Sequence, residues 1–401
     1  MARVPARTIV SAAFLLALGA IHGDPGPAAA QAPLIRGYYH NLPLWNRATP
    51  SRAGFFGDFN RFRLMSEPRW GPLSLEVAYE HTLGLNRQPT SRALAIAGLP
   101  ETVPWLNLQW NLWERDHLSW QHRFDRLNLS WAPTGNLDLT LGRQTVSWAT
   151  TLFLTPADPF SPFNPADPFR AYRGGVDAAR LQFHPGPLSR VEVVVRPSRS
   201  TAGREITALG RGLTTWKNWE FSGWGGALFD EPAAAGAVSG SLGPVALRGE
   251  ASLRRIRGET VFRGTLGIDR RLTLSNRDLY LVAEYQHDGL GAVGAGETSL
   301  VLESEAFTRG ELQVLGRDEA AAQAQYQLHS LWSLSLLWLW NLNDSSSLLA
   351  PSLSYSASNE VTVTGGLFKG FGNVSPGSEG PPASEYGGLG TTAYLSLSIY
   401  F

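Results

Sequence analysis

Apolar and polar residues alternate with a period of two along most of the chain after about residue 54. The clearest example is the apolar face of residues 330–342, which carries Trp332, Leu334, Leu336, Trp338 and Trp340. Such alternation is typical of β-strands, because successive side chains of a strand point to opposite faces. Beyond the first thirty residues, no window has the unbroken apolar length of a membrane-spanning helix. The pattern predicts strands with one apolar face and one face rich in Arg, Asp, Glu, Gln and Asn.

Two architectures can use such strands: an exported soluble sandwich with an apolar interior, or a membrane barrel with a wet lumen. The segments run to about ten residues, the length that a tilted strand needs to cross a bilayer. Tight connections (133–136, 243–244, 358–359) alternate with long ones (84–104, 149–176, 288–297, 373–386). Aromatic residues recur near strand ends, as in interfacial girdles: Trp105, Trp110, Trp131, Trp148, Trp216, Trp219, Trp340 and Tyr355. These features favour an antiparallel transmembrane β-barrel.

The strand number is predicted less closely than the fold class. About sixteen segments can be distinguished, and both sixteen and eighteen strands fit the pattern. Residues 117–131 are interpreted as one long strand with a bulge near Asp125 and Arg126, because the apolar parity switches there. A barrel of this size encloses an aqueous channel. Residues 31–401 are therefore predicted to form one barrel domain.

The first thirty residues have the features of a cleaved export signal. Arg3 and Arg7 precede an apolar run from Ile9 to Ile21, and small residues follow at 28–30. This order predicts cleavage after Ala30 rather than an anchoring helix, because the run is shorter than the ~20 residues of a membrane span.

Composition excludes several classes of function. Charged residues make up 17% of the chain, Lys+Arg and Asp+Glu number 34 each, and there is no Cys. A chain with equal numbers of positive and negative residues lacks the basic field that nucleic-acid binding requires. The lack of Cys excludes disulfides and thiolate sites. Neither a metal-ligand spacing nor a catalytic motif is present, so no cofactor, metal or enzymatic activity is expected. Residues 289–294 match G-x-G-x-x-G, but they are interpreted as a loop between two strands with no helix following.

The last residues, from Tyr394 to Phe401, alternate up to a terminal aromatic. In this the chain resembles Gram-negative outer-membrane barrels, whose last strand ends in Phe and is recognised by the barrel-assembly machinery. The resemblance implies that Phe401 is a membrane-assembly signal and that the chain resides in the lipid bilayer of the outer membrane.

The most distinctive segment is rich in proline and phenylalanine. Five prolines between residues 156 and 168 exclude a continuous strand, yet Phe153, Phe160, Phe163 and Phe169 are too apolar for a solvated tip. Residues 149–176 are therefore predicted to fold into the lumen or over its mouth, as a constriction or plug.

The stretch from Gly142 to Arg180 resembles a segment of a poorly characterised family of porin-like outer-membrane proteins. In that segment a G-R-Q strand end that finishes in S-W precedes a P-x-D-x-F-x-P loop and an R-x-G-V-D-A-x-R strand. The family pattern has Gly after S-W, whereas Ala149 stands here.

Arginine supplies nearly all positive charge, since Lys217 and Lys369 are the only lysines. Guanidinium groups stay ionised and bind anions in a bidentate manner, and opposed charges across a pore set ion preference. The alternatives for these charges are a structural network on the wall, or mutual neutralisation that keeps the lumen hydrated. The candidate pore residues are Arg143, Asp158, Asp167, Arg170, Arg173, Asp177, Arg180, Arg248, Glu250, Arg254, Arg263 and Asp269.

The function predicted from these observations is passive diffusion of ions or small polar solutes through an outer-membrane porin-like channel. The alternative is a closed barrel with a structural or export-assembly role. An oligomer is compatible with either hypothesis.

Overall fold

The computed structural model describes residues 35–49, 53–86, 103–115, 117–160, 173–200, 203–374 and 383–401. The predicted signal sequence lies outside these residues. The described strands are β1 (Arg36–Asn46), β2 (Phe55–Ser66), β3 (Arg69–Trp70), β4 (Leu73–Asn86), β5 (Gln109–Arg115), β6 (Leu118–Thr134), β7 (Leu137–Gln144), β8 (Val176–Gly186), β9 (Ser189–Ser200), β10 (Gly203–Trp216), β11 (Trp219–Leu228), β12 (Glu231–Leu242), β13 (Val245–Ile256), β14 (Glu259–Leu274), β15 (Arg277–Asp288), β16 (Asp318–His329), β17 (Trp332–Asn341), β18 (Ser347–Ser356), β19 (Val361–Phe371) and β20 (Thr391–Tyr400).

Eighteen of these strands form a closed antiparallel ring, in which β20 pairs with β1. β3 and β5 are the two additions: β3 is a two-residue extension beside β4, and β5 pairs with β6 beyond the end of β7. The fold class is therefore confirmed, with the larger of the two predicted strand numbers. The long strand predicted over residues 117–131 is β6, and its pairing with β4 shifts at Asp125, where the bulge was expected.

The two ends of the barrel differ in their connections. At the end where Gly37 and Phe401 exchange backbone hydrogen bonds, the strands are joined by tight turns. Lys217 and Asn218 form one such turn with φ of 48° and 65°, the left-handed geometry that matches the twist of a hairpin. The described parts of the long connections named by the sequence lie at the opposite end, which confirms their common side. The alternation is not strict, because two-residue turns at 229–230 and 257–258 also lie at that end. We call the two ends the turn end and the loop end.

The wall is apolar outside and polar inside. Leu266, 69% exposed, and Val193, 43% exposed, lie on the outer face, whereas Glu192 and Arg263 point inward and are buried. Because successive side chains of a strand point to opposite faces, the period of two gives the strands of the ring an apolar outer face and a polar inner face. Among the described residues, no helix is long and apolar enough to cross a membrane.

Two local predictions are wrong. Trp148 is not part of an outer girdle, because its ring is 3% exposed and packs inside the barrel against Phe160 and Trp224. The connection after residues 289–294 is not free of helix, since short helices occupy Thr298–Leu302 and Glu305–Thr308. Apolar residues of that connection, including Val301, Ala306 and Leu312, bury one another, and this packing supports helices too short to be recognised from periodicity.

Candidate channel constriction

The connection between β7 and β8 folds back into the barrel, and we call its described part, residues 145–160, the inner loop. The side chain of Asp158 connects the two ends of this connection. The Asp158 carboxylate accepts hydrogen bonds from the Ser147 hydroxyl at 2.7 Å, the Phe160 amide at 3.1 Å and the Arg173 guanidinium at 2.9 Å. The Trp148 amide also donates to it, at 3.3 Å. Four donors from both ends of the connection thus converge on one carboxylate, so the loop holds a defined shape before it meets the wall.

Two carboxylates of the barrel wall hold the backbone of the inner loop. Glu250 of β13 accepts from the amides of Thr150 and Thr151, at 2.7 and 3.3 Å. Glu284 of β15 accepts from the three amides of residues 152–154, at 2.6 to 2.9 Å. The prolines and the irregular path leave loop amides without strand partners, and inward-facing carboxylates satisfy them.

The inner loop contacts opposite sides of the wall. Val146, Trp148 and Phe160 belong to a buried cluster that includes Leu209 of β10, whereas Leu154 belongs to a second cluster that includes Phe368 of β19. β10 and β19 are nine strands apart in the ring of eighteen, and therefore diametrically opposed. The in-folded loop predicted from the sequence is confirmed for its described part, and it crosses the lumen.

A second connection, residues 289–317 between β15 and β16, lies over the inner loop. Gln313 donates its side-chain amide to the Phe153 carbonyl at 3.0 Å and accepts from the Thr155 amide. Arg309 pairs with Glu205 of β10, and the neighbouring carboxylates hold the pKa of its guanidinium above its ordinary value against the effect of burial. The second connection thus reaches from β15 across to β10 and covers the inner loop on the loop-end side.

The described wall arginines named by the sequence are paired. Arg263 makes a bidentate pair with Asp288 at 2.8 Å, Arg254 contacts Glu311 at 2.6 Å, and Arg248 pairs with Asp269. Arg180 contacts Glu192 at 2.8 Å and keeps 18% of its side chain exposed, and Arg173 keeps 25%. Buried pairs of this kind fix geometry, while the partly exposed guanidiniums of Arg173, Arg180 and Arg248 remain accessible to the lumen.

Arg143 and Asp177 do not face the lumen. Val176 and Ala178 pack into the inner cluster, so the side chain between them, Asp177, points outward. Arg143 pairs with it at 2.8 Å, and together they bind the backbone of Leu106: its amide donates to Asp177 at 2.7 Å and its carbonyl accepts from Arg143. The pair therefore fastens residues 103–108, which we call the outer strap, to the outside of the wall. Of the other candidates, Asp167 and Arg170 lie outside the described residues.

Sequence reasoning missed most of the groups that position the inner loop. Alternation places Glu284 on the inward face, but nothing in its local sequence distinguishes a carboxylate that binds a loop from one that faces water. Glu192, whose carboxylate accepts from the Trp148 indole at 2.9 Å, and Gln313 are missed for the same reason: their partners are 44 and 158 residues away.

Towards the turn end the lumen is lined by neutral and charged polar groups. A pocket there is bordered by Arg271, Asp278, Tyr280, Gln325, Gln327, Ser333, Ser354 and Thr362, among others. Within the described part of the chain, no three His, Asp or Glu side chains are grouped so that they could hold a metal ion.

Comparison with known proteins identifies the fold. No family model matches the chain, and no curated protein matches its sequence. Solved structures do match. OccAB1 of Acinetobacter baumannii has a TM-score of 0.53 at 12% identity, over 92% of this chain and 95% of that one. A BenF-like porin from Pseudomonas fluorescens has a TM-score of 0.53 at 10% identity, over 92% and 98%. OccK11 (OpdR) of Pseudomonas aeruginosa has a TM-score of 0.50 at 11% identity, over 92% and 95%. At these identities the likeness is one of fold: the chain has the closed antiparallel barrel of an outer-membrane porin.

Proposed function

We propose that the chain is an outer-membrane channel for passive diffusion of ions or small polar solutes, with the inner loop as its constriction. The observation that carries the proposal is the fixed path of this loop across a polar lumen, held by Glu250 and Glu284. A loop that wall carboxylates hold inside a charged lumen narrows a pore, and accessible guanidiniums beside it set ion preference.

The apolar outer wall supports placement in a bilayer, and the tight-turn end corresponds to the periplasmic side of such barrels. Transport through the lumen requires neither a cofactor nor covalent chemistry. The charges of the lumen orient polar solutes, and the inner loop limits their size.

The test is single-channel conductance of refolded residues 31–401 in planar bilayers, after a heat-dependent gel shift has established that the barrel has formed. We expect discrete open steps that scale with salt concentration. A folded barrel without conductance contradicts the channel and favours the closed structural or export-assembly barrel.

A further inference from the structure

The outer face of β1 and β2 carries a group of polar side chains, although the outer face of a membrane barrel is in contact with an apolar environment. Tyr39, Asn41, Asp58 and Asn60 lie together there, and we call them the outer polar patch. Leu42 and Arg63, which belong to the inward-facing sets of β1 and β2, are 3% and 1% exposed. The patch residues alternate with those sets and therefore point outward.

The height of the patch on the wall is set by two aromatic pairs. Trp45 and Phe56 lie on the loop-end side of Asp58, with ring centroids 5.4 Å apart. Phe62, which is opposite Tyr39, lies on the turn-end side of the two asparagines, with its ring centroid 5.9 Å from that of Phe401. Aromatic residues mark the two interfaces of a membrane barrel. Since the placement in a bilayer is part of the proposed function, this inference rests on it: Asp58 and the two asparagines then lie at the depth of the acyl chains.

Hydrogen bonds within the patch satisfy some of its groups and leave others. Asn41 donates to Asp58 at 2.8 Å and to Asn60 at 3.0 Å, and the Tyr39 hydroxyl donates to the same Asn60 oxygen at 2.5 Å. Among the described residues, no contact uses the second oxygen of Asp58 or the side-chain amide hydrogens of Asn60. A carboxylate oxygen and an amide donor without partners are costly in hydrocarbon, and acyl chains offer neither a donor nor an acceptor.

We infer that a second copy of this chain packs against the outer polar patch across a two-fold axis. The patch is self-complementary, because it offers one unused acceptor, on Asp58, and unused donors, on Asn60. Across a two-fold axis each Asn60 donates to the Asp58 of the other copy, and both groups are satisfied at once.

Val193 and Leu266 show the apolar character of much of the outer wall. Two other outward-facing polar sites of the described wall have partners of their own: the outer strap covers the Arg143–Asp177 pair, and His81 accepts from the Trp120 indole. The unused groups of the outer polar patch therefore select this face for the contact.

The chain contains no Cys, which makes site-directed cross-linking specific. Pro43→Cys, opposite Asp58 on the outer face, leaves the patch intact and is oxidised in native outer membranes, with Leu266→Cys as the matched control on another part of the outer wall. We expect a thiol-reducible product of twice the chain mass from Pro43→Cys and none from Leu266→Cys. No product at position 43, equal products from both positions, or a product containing a different protein overturns the inference.

A second measurement uses the double variant D58L/N60L, whose changes favour a lipid-facing wall and so do not threaten folding. Light scattering in detergent is expected to give two chains for the wild type and for Leu266→Ala, but one chain for D58L/N60L. An unchanged mass for the double variant overturns the inference. Conductance is recorded from the same samples. A wild-type protein that is a monomer by mass and conducts ions overturns this inference alone. A dimer without conductance overturns only the proposed channel.

Discussion

Glu284 binds more of the inner loop than any other described side chain of the barrel wall, since it accepts from three consecutive amides. Hydrogen bonds to a charged group contribute about 1.5–3 kcal/mol each. Glu284→Ala is therefore expected to release residues 152–154 and to increase single-channel conductance and its noise. Asp278→Ala, on the same strand and in the pocket near the turn end, removes the same charge without a contact to the loop. Equal effects of both variants would show that charge, rather than loop anchoring, controls the conductance.

Arg173 combines a structural contact with access to water, because it pairs with Asp158 and yet keeps a quarter of its side chain exposed. Its removal takes away a positive charge next to Asp158 of the inner loop. We expect Arg173→Ala to shift the reversal potential in a salt gradient towards cation preference. Arg173→Lys, which retains the charge, serves as the control. An unchanged reversal potential in Arg173→Ala contradicts a selectivity role for this residue.

At the level of elements, the outer strap provides a test of what the Arg143–Asp177 pair does. Removing one partner of a buried pair costs about 3–5 kcal/mol, whereas replacing both by apolar residues is often tolerated. Arg143→Met is thus expected to lower the temperature at which the barrel loses its gel shift, and R143M/D177L to restore part of the loss. Neither variant is expected to change ion selectivity, because the pair lies on the outside. A changed reversal potential would instead support a pore role.

The loop between β19 and β20 gives a pH-dependent contact. Glu385 accepts from the amides of Leu315 and Gly316, at 2.8 and 3.0 Å, and burial raises the pKa of its carboxyl above the ordinary 4.5, with Asp344 adding to the rise. A raised carboxyl pKa contributes stability below pH 4.5 that is lost as pH increases through the raised value. Thermal stability is therefore expected to fall as the pH increases from 4.5 through the raised pKa of Glu385. It is expected to fall less in Glu385→Gln. Identical profiles for the two proteins would exclude Glu385 as the cause.

Elements that depend on local pattern could be predicted from the sequence, and elements that depend on distant partners could not. The bulge at Asp125 follows from a switch of parity within one strand. The alternation of side chains also places Arg143 and Asp177 on the outer face. The resemblance of residues 142–180 to the porin-like segment nevertheless led to their prediction as residues of the inner wall. Only the covering strap, which comes from residues more than thirty positions away, explains how this ion pair is accommodated outside the wall.

At the level of the whole molecule, the fold class could be predicted because every strand repeats the same inverted pattern. The strand number required the ring itself, since β5 resembles a spanning strand yet lies beside β6 beyond β7. The lumen could be recognised as polar, but the path of the inner loop across it depends on how two separate connections meet at Gln313 and Thr155. Long-range closure of this kind leaves no periodic signal.

The inner loop has a mechanical consequence for the barrel. A closed wall of eighteen strands encloses a channel rather than a packed core, so only elements that cross the lumen connect its opposite sides. Because the loop joins the Leu209 side of the wall to the Phe368 side, it acts as a cross-brace along one diameter. Lengthening that diameter requires the buried contacts of Leu154 or of Phe160 to break. Because a closed hydrogen-bonded wall has a nearly fixed perimeter, the same cross-brace also holds the perpendicular diameter.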